Sequence, residues 1–149
     1  MITLKQATLT ITLFIVLGSN ALLAQDRDYI DGRSASDAGV PPFSGAVLTG
    51  ETLYLSGMLG LVNGAVPDDP AEETRVILES MKAALDKAGM TMDDLVYVQI
   101  FCSDVAHYAA FNEVYRSYFT KEFPARAFVG VGTLLFDARF EIQSIAVKR

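Results

Sequence analysis

Asp69-Pro70-Ala71-Glu72-Glu73-Thr74-Arg75-Val76-Ile77-Leu78-Glu79-Ser80-Met81-Lys82-Ala83-Ala84-Leu85-Asp86-Lys87-Ala88-Gly89, with Leu95-Val96-Tyr97-Val98-Gln99-Ile100-Phe101-Cys102 close behind, sets the fold class. Ile77, Leu78, Met81, Leu85 and Ala88 recur at helical spacing and make one apolar stripe. Asp69 suits the N-cap and Pro70 the first turn. Glu72 and Glu73 favour the positive end of the helix dipole, and Gly89 suits the C-terminal exit. Leu95 to Cys102 is apolar without helical period and reads as a buried strand. A helix feeding a buried strand predicts mixed α and β structure.

On the N-terminal side, Phe43 to Leu48 and Thr52 to Ser56 read as two short strands. Thr49-Gly50-Glu51 between them suits a tight hairpin. Gly57 to Pro70 reads as a loop, with Asn63-Gly64 as its turn. On the C-terminal side a second helix is expected from Ser103 or Asp104. Its stripe is Tyr108, Phe111, Tyr115 and Tyr118, a pattern that more often marks core than a ligand site. Phe123-Pro124 breaks it, and Ala127 to Val131 and Arg139 to Val147 read as the last strands. The order is ββαβαββ, an α+β domain with both helices on one face of a sheet. The second face is left uncovered, and oligomerisation is the simplest cover for it.

The chain has 149 residues, 51% apolar and 20% charged, enough for one domain with a core and too few for two. Residues 1–24 differ from the rest. Lys5 precedes an apolar run from Leu9 to Gly18, and Ser19 to Ala24 ends on a small residue. That order is the pattern of a secretory signal peptide. The run falls short of the ~20 apolar residues that span a bilayer. Cleavage is expected after Ala24, although Leu22 is larger than the usual residue at that distance. No Cys follows the run to carry a lipid. A periplasmic or secreted protein with no stable membrane anchor after cleavage is the expectation. Residues 25–40 read as an exposed lead-in, and 41–149 as the folded domain.

The net charge is −6, and without residues 1–24 it becomes −7, from 11 basic and 18 acidic residues. Such a balance argues against a nucleic-acid partner. Cys102 is the one cysteine, so no intrachain disulfide can form, and its apolar run reads as core rather than nucleophile. His107 is the one histidine and lacks metal-ligand partners at useful spacing, so a zinc or Ser–His–Asp site has little to build on.

Two residues carry candidate chemistry. Arg126 follows Phe123-Pro124-Ala125 and precedes Ala127-Phe128-Val129. A guanidinium among apolar neighbours needs a partner, either a protein carboxylate or a ligand's. Glu141 alternates with Phe140 and Ile142, which places it with Gln143 on one strand face. On local pattern alone such a glutamate is an ordinary solvated residue.

The domain resembles the Rid/YjgF reactive-intermediate deaminase family. The matching segments are Pro42-Phe43-Ser44-Gly45-Ala46-Val47, Leu53-Tyr54-Leu55-Ser56-Gly57, Thr74-Arg75, Phe111-Asn112-Glu113-Val114-Tyr115, Pro124-Ala125-Arg126 and Phe140-Glu141-Ile142-Gln143-Ser144-Ile145-Ala146. They keep the family order from about Pro42 to Arg149. The resemblance implies a chorismate-mutase-like fold and a homotrimer packed around a barrel-like centre, with a cleft at each subunit interface. It implies hydrolysis of small 2-imino and enamine acids to 2-oxo acids and ammonia without a cofactor, the chemistry of a 2-iminobutanoate/2-iminopropanoate deaminase.

Carried over by position, Arg126 matches the arginine that binds the substrate carboxylate. Glu141 matches the glutamate that positions water. Ser56, Gly57 and Asn112 match cleft-lining residues, and main-chain groups near Gly57 and Phe128 are placed to hold the imine. The sequence also departs from the pattern. Phe43 stands for a tyrosine and Met58 for a glutamine. Val129-Gly130-Val131-Gly132-Thr133-Leu134 lacks a glutamate and an arginine, and Gln143 stands for a second glutamate. These changes predict a more apolar lining and an altered substrate range. The alternative function is a non-catalytic trimeric module that binds a small carboxylate in the same cleft. Ribonuclease activity, attributed to some members, fits the acidic charge least.

Overall fold

The computed structural model describes residues 26–149. The expected signal segment, 1–24, lies outside the described residues. The elements are β1 (Arg27–Ile30), β2 (Ala46–Thr49), β3 (Thr52–Leu59), α1 (Pro70–Lys87), β4 (Leu95–Cys102), α2 (Tyr108–Arg116), β5 (Ala125–Gly130) and β6 (Phe140–Val147). They form one six-stranded sheet in the order β1-β2-β3-β6-β4-β5. β6 is antiparallel to both β3 and β4, while β4 and β5 run parallel with α2 between them in sequence. The unit β3-α1-β4 is thus a split crossover with β6 inserted between its strands.

Helix α1 forms as its sequence dictates. The Asp69 carboxylate accepts from the Ala71 N–H at 3.1 Å, and Gly89 takes φ 68° just past the end. The whole apolar stripe of α1 is buried against the sheet. Gly50 takes φ 57° in the β2–β3 turn, where a side chain would be strained. β4 spans the residues expected, and Cys102 is buried, its thiol pushed up by that burial. It is part of the core.

Three details differ from the sequence expectation. Residues 27–30 of the lead-in form a strand, antiparallel to β2. Its side chains are almost all exposed, so it pairs through main chain and carries no hydrophobic period to read. Asp104 caps a 3-10 turn, Val105–His107, and α2 proper starts only at Tyr108. In the α2 stripe Phe111 and Tyr115 are core, but Tyr108 is 48% exposed. β5 and β6, consecutive in sequence, are not neighbours: β6 lies inside the sheet and β5 at its edge.

Both helices lie on one face. Buried residues of β3, β4 and β6 alternate toward them: Leu53 and Leu55, Val98 and Ile100, Phe140 and Ile142. Among the described residues no helix covers the opposite face. It carries Tyr54 and Tyr97, 49% and 36% exposed, beside Ile145.

Glu73 has a role that its place in the first turn of α1 does not reveal. It is fully buried and accepts from the main-chain N–H groups of Arg139 (2.8 Å) and Phe140 (3.1 Å). The Arg139 guanidinium pairs with it at 2.9 Å and donates also to the Pro67 and Asp68 carbonyls. One carboxylate therefore pins the start of β6 to α1. Gly60 permits this packing, since a Cβ there would come within 2.5 Å of the Glu73 carbonyl oxygen.

Candidate functional site

The register of the sheet assigns each candidate residue to a face. Arg126 pairs with Val98 and Phe128 with Ile100, and both partners are buried under the helices. Arg126 and Phe128 therefore lie on the helix side. Glu141 pairs with Phe101 and Leu59, out of phase with buried Ile100 and Cys102, so it lies on the open side. Within one subunit Arg126 and Glu141 sit on opposite faces of the sheet.

Around Arg126 the chain builds an aromatic box. Pro124 delivers the strand start, and α2 supplies the walls. The guanidinium carbon lies 4.9 Å from the centre of the Tyr115 ring and 5.8 Å from that of Tyr108. Its Nη2 donates to the Tyr108 hydroxyl in a long contact of 3.4 Å. Among the described residues Arg126 forms no ion pair with a carboxylate. Asn112, Arg116 and Phe123 complete an opening of about 230 Å³. The Tyr115 hydroxyl is buried there without a hydrogen-bond partner. Burial pushes its pKa up to about 12 against the opposing pull of the Arg126 charge, so it stays a neutral phenol.

Around Glu141 the open face forms a larger, apolar opening of about 670 Å³. A β-bulge interrupts the β3–β6 register between Leu55 and Met58 and re-aims the main chain at Ser56-Gly57. The Glu141 carboxylate rests over Gly57: a Cβ at that position would stand 2.1 Å from Oε1. Gly57 is required by this close approach. Ser56 Oγ donates to the Ser44 carbonyl at 2.7 Å, which ties the bulge to the segment carrying Phe43. Phe43 is 54% exposed at the rim, with Arg33 stacked over its ring. Glu141 is the one charged side chain in this lining.

The candidates thus fall into two groups. Arg126 and Asn112 share the helix-side opening, while Phe43, Ser56, Gly57, Glu141 and Gln143 share the other. Two expected lining residues do not line either. Met58 pairs with buried Ile142 and packs against the core, because the bulge turns it to the helix side. The Phe128 ring packs edge-on against Tyr108 and Phe111, which leaves only its main chain to meet a ligand. Conversely, Tyr108 and Tyr115 stand in an apparent core stripe, and the phenol hydroxyl that each carries in place of a plain apolar ring was the available signal. Leu135 and Phe136 join the Glu141 lining from a loop with no period to read. No cluster of His, Cys, Asp and Glu suited to a metal occurs among the described residues.

A six-stranded sheet with two helices on one face and a split crossover defines the class, an α+β fold of the chorismate-mutase-like kind. Residues 34–148 match the family model described as Endoribonuclease L-PSP. A 2-iminobutanoate/2-iminopropanoate deaminase of Dermatophagoides farinae is 39% identical over 72% of this chain and 87% of its own length. The crystal structure of the YjgF gene product of E. coli superposes with a TM-score of 0.73 at 31% identity, covering 82% of this chain and all of that one. RidA from an Antarctic Psychrobacter gives 0.69 at 31% identity, over 74% and 91%. The chain belongs to this L-PSP family, the Rid/YjgF proteins.

Proposed function

We propose that this protein hydrolyses 2-imino acids and their enamine tautomers to 2-oxo acids and ammonia, at clefts shared between subunits of a homotrimer. The observation that carries the proposal is an unmatched guanidinium on one face of the sheet and a lone carboxylate on the other. Arg126 has no carboxylate partner among the described residues, and Glu141 cannot reach it through its own sheet. In this proposal a second copy laid against the open face brings one subunit's Arg126 to its neighbour's Glu141. The exposed Tyr54 and Tyr97 on that face give such a contact an apolar centre. Named relatives support the chemistry, one of them a 2-iminobutanoate/2-iminopropanoate deaminase.

Arg126 binds the substrate carboxylate and so fixes the neighbouring imine carbon. Glu141 takes a proton from a water as its oxygen adds to the carbon of the protonated imine, giving a neutral carbinolamine. The glutamic acid then hands its proton to the amine nitrogen. Ammonia leaves as the C–N bond breaks, the hydroxyl proton returns to Glu141 as C=O forms, and its passage to the departing ammonia restores the carboxylate. One water is consumed, and one 2-oxo acid and one ammonia are released. The expected signal peptide would place this reaction in the periplasm or outside the cell. The alternative, a carboxylate-binding module, shares Arg126 and dispenses with Glu141.

The test generates imines in situ with an amino-acid oxidase and follows 2-oxo-acid release. Wild type should accelerate release, and Arg126→Ala and Glu141→Gln should not. An intact oligomer that accelerates no imine yet is stabilised by 2-oxo acids would replace the hydrolase with the binding module.

A further inference from the structure

The loop between β5 and β6 holds two large apolar side chains outward. Leu135 and Phe136 are 70% and 63% exposed. The backbone that presents them is left-handed at two successive non-glycine residues, Phe136 (φ 60°) and Asp137 (φ 56°). L-residues adopt that conformation at a cost, and such cost tends to persist where a side chain must be aimed. Both side chains line the Glu141 opening, which Phe43, Leu59, Leu61 and Phe101 also line. Six apolar side chains thus surround one carboxylate.

All 2-imino acids share the carboxylate and the imine and differ only in the side chain. With the carboxylate on Arg126 and the imine carbon beside the water of Glu141, the substrate side chain is the part left to face this lining. A methyl group leaves most of the lining wet. An isobutyl, thioether or benzyl group covers it. We infer, on the basis of the hydrolase reading above, that the preferred substrates are 2-imino acids with large apolar side chains, derived from leucine, methionine or phenylalanine, and that Phe136 is a specificity-determining residue.

Imines generated from alanine, leucine, methionine and phenylalanine should be compared on wild type, Phe136→Ala and Leu135→Ala. In parallel, the thermal shift given by pyruvate, 4-methyl-2-oxopentanoate and phenylpyruvate should be measured for each. The large imines should exceed the alanine imine by about tenfold or more in kcat/KM, the usual yield of burying a methylene or two in an apolar pocket. The ratio should collapse toward one in Phe136→Ala. Equal rates with equal shifts across side chains overturn this inference and leave the hydrolase standing. Larger shifts from phenylpyruvate than from pyruvate, with no rate on any imine, support the lining and overturn the hydrolase. Loss of the oligomer in Phe136→Ala or Leu135→Ala would show that a second copy covers the loop, and would overturn the inference.

Discussion

The two openings hold their charges in different ways. Arg126 is held by matter: two aromatic rings of α2 flank it, and a proline fixes its approach. Glu141 is held by space: a bulge and a glycine leave room for a carboxylate that accepts no hydrogen bond from the described residues. The first arrangement fits a group that must bind one rigid anion. The second fits a group that must take up and return a proton while its surroundings stay dry and apolar. The contrast explains why the helix-side opening is polar and narrow and the other wide and greasy.

The contrast can be broken residue by residue. Glu141→Gln removes the proposed base and keeps the shape, so kcat should fall by about 10²–10⁴ while 2-oxo-acid binding survives; loss of binding in a thermal-shift titration would count against the division of roles. Arg126→Ala removes the proposed anchor and should cost about 10²–10³ in kcat/KM, chiefly through KM. Unchanged affinity for 2-oxo acids would show that the carboxylate sits elsewhere. Gly57→Ala adds a methyl where the Glu141 carboxylate lies and displaces it, since the clash is with the far end of a flexible side chain. Activity should drop about ten- to hundredfold with stability nearly intact, as a displaced reacting group implies. A lost fold in chemical denaturation would instead make Gly57 structural.

The smallest effect concerns Tyr115. Its hydroxyl has no partner, so Tyr115→Phe should change stability at neutral pH by less than about 1 kcal/mol, and in the favourable direction. In wild type the folded pKa, pushed up to about 12, lies above that of an unfolded tyrosine near 10. The folded state therefore holds the proton more tightly. The contribution is complete below pH 10 and is lost as pH rises through about 12. Denaturant midpoints across that range should fall more steeply for wild type than for Tyr115→Phe.

Much of the architecture was legible because it is written in period and punctuation. Asp69, Pro70 and Gly89 bracket α1, and the Leu95–Cys102 run is β4. β1 was not legible, because Arg27 and Asp28 pair by main chain and bury nothing. The candidate site was drawn mainly through resemblance. Arg126 stood out locally as a cation among apolar residues, but Glu141 did not. Neither Glu73's grip on β6 nor the turning of Met58 into the core can be read along the chain. The first needs a contact across 66 residues and the second a bulge.

The division of one site between two subunits is tested most directly by complementation. Subunits carrying Arg126→Ala and subunits carrying Glu141→Gln should be inactive alone. Co-assembled in equal amounts, they should recover about a quarter of the wild-type rate, because one interface in four then joins an intact Arg126 to an intact Glu141. Recovery near that level is the result predicted. Mixed oligomers, verified by mass, that stay as inactive as either parent would contradict a shared cleft.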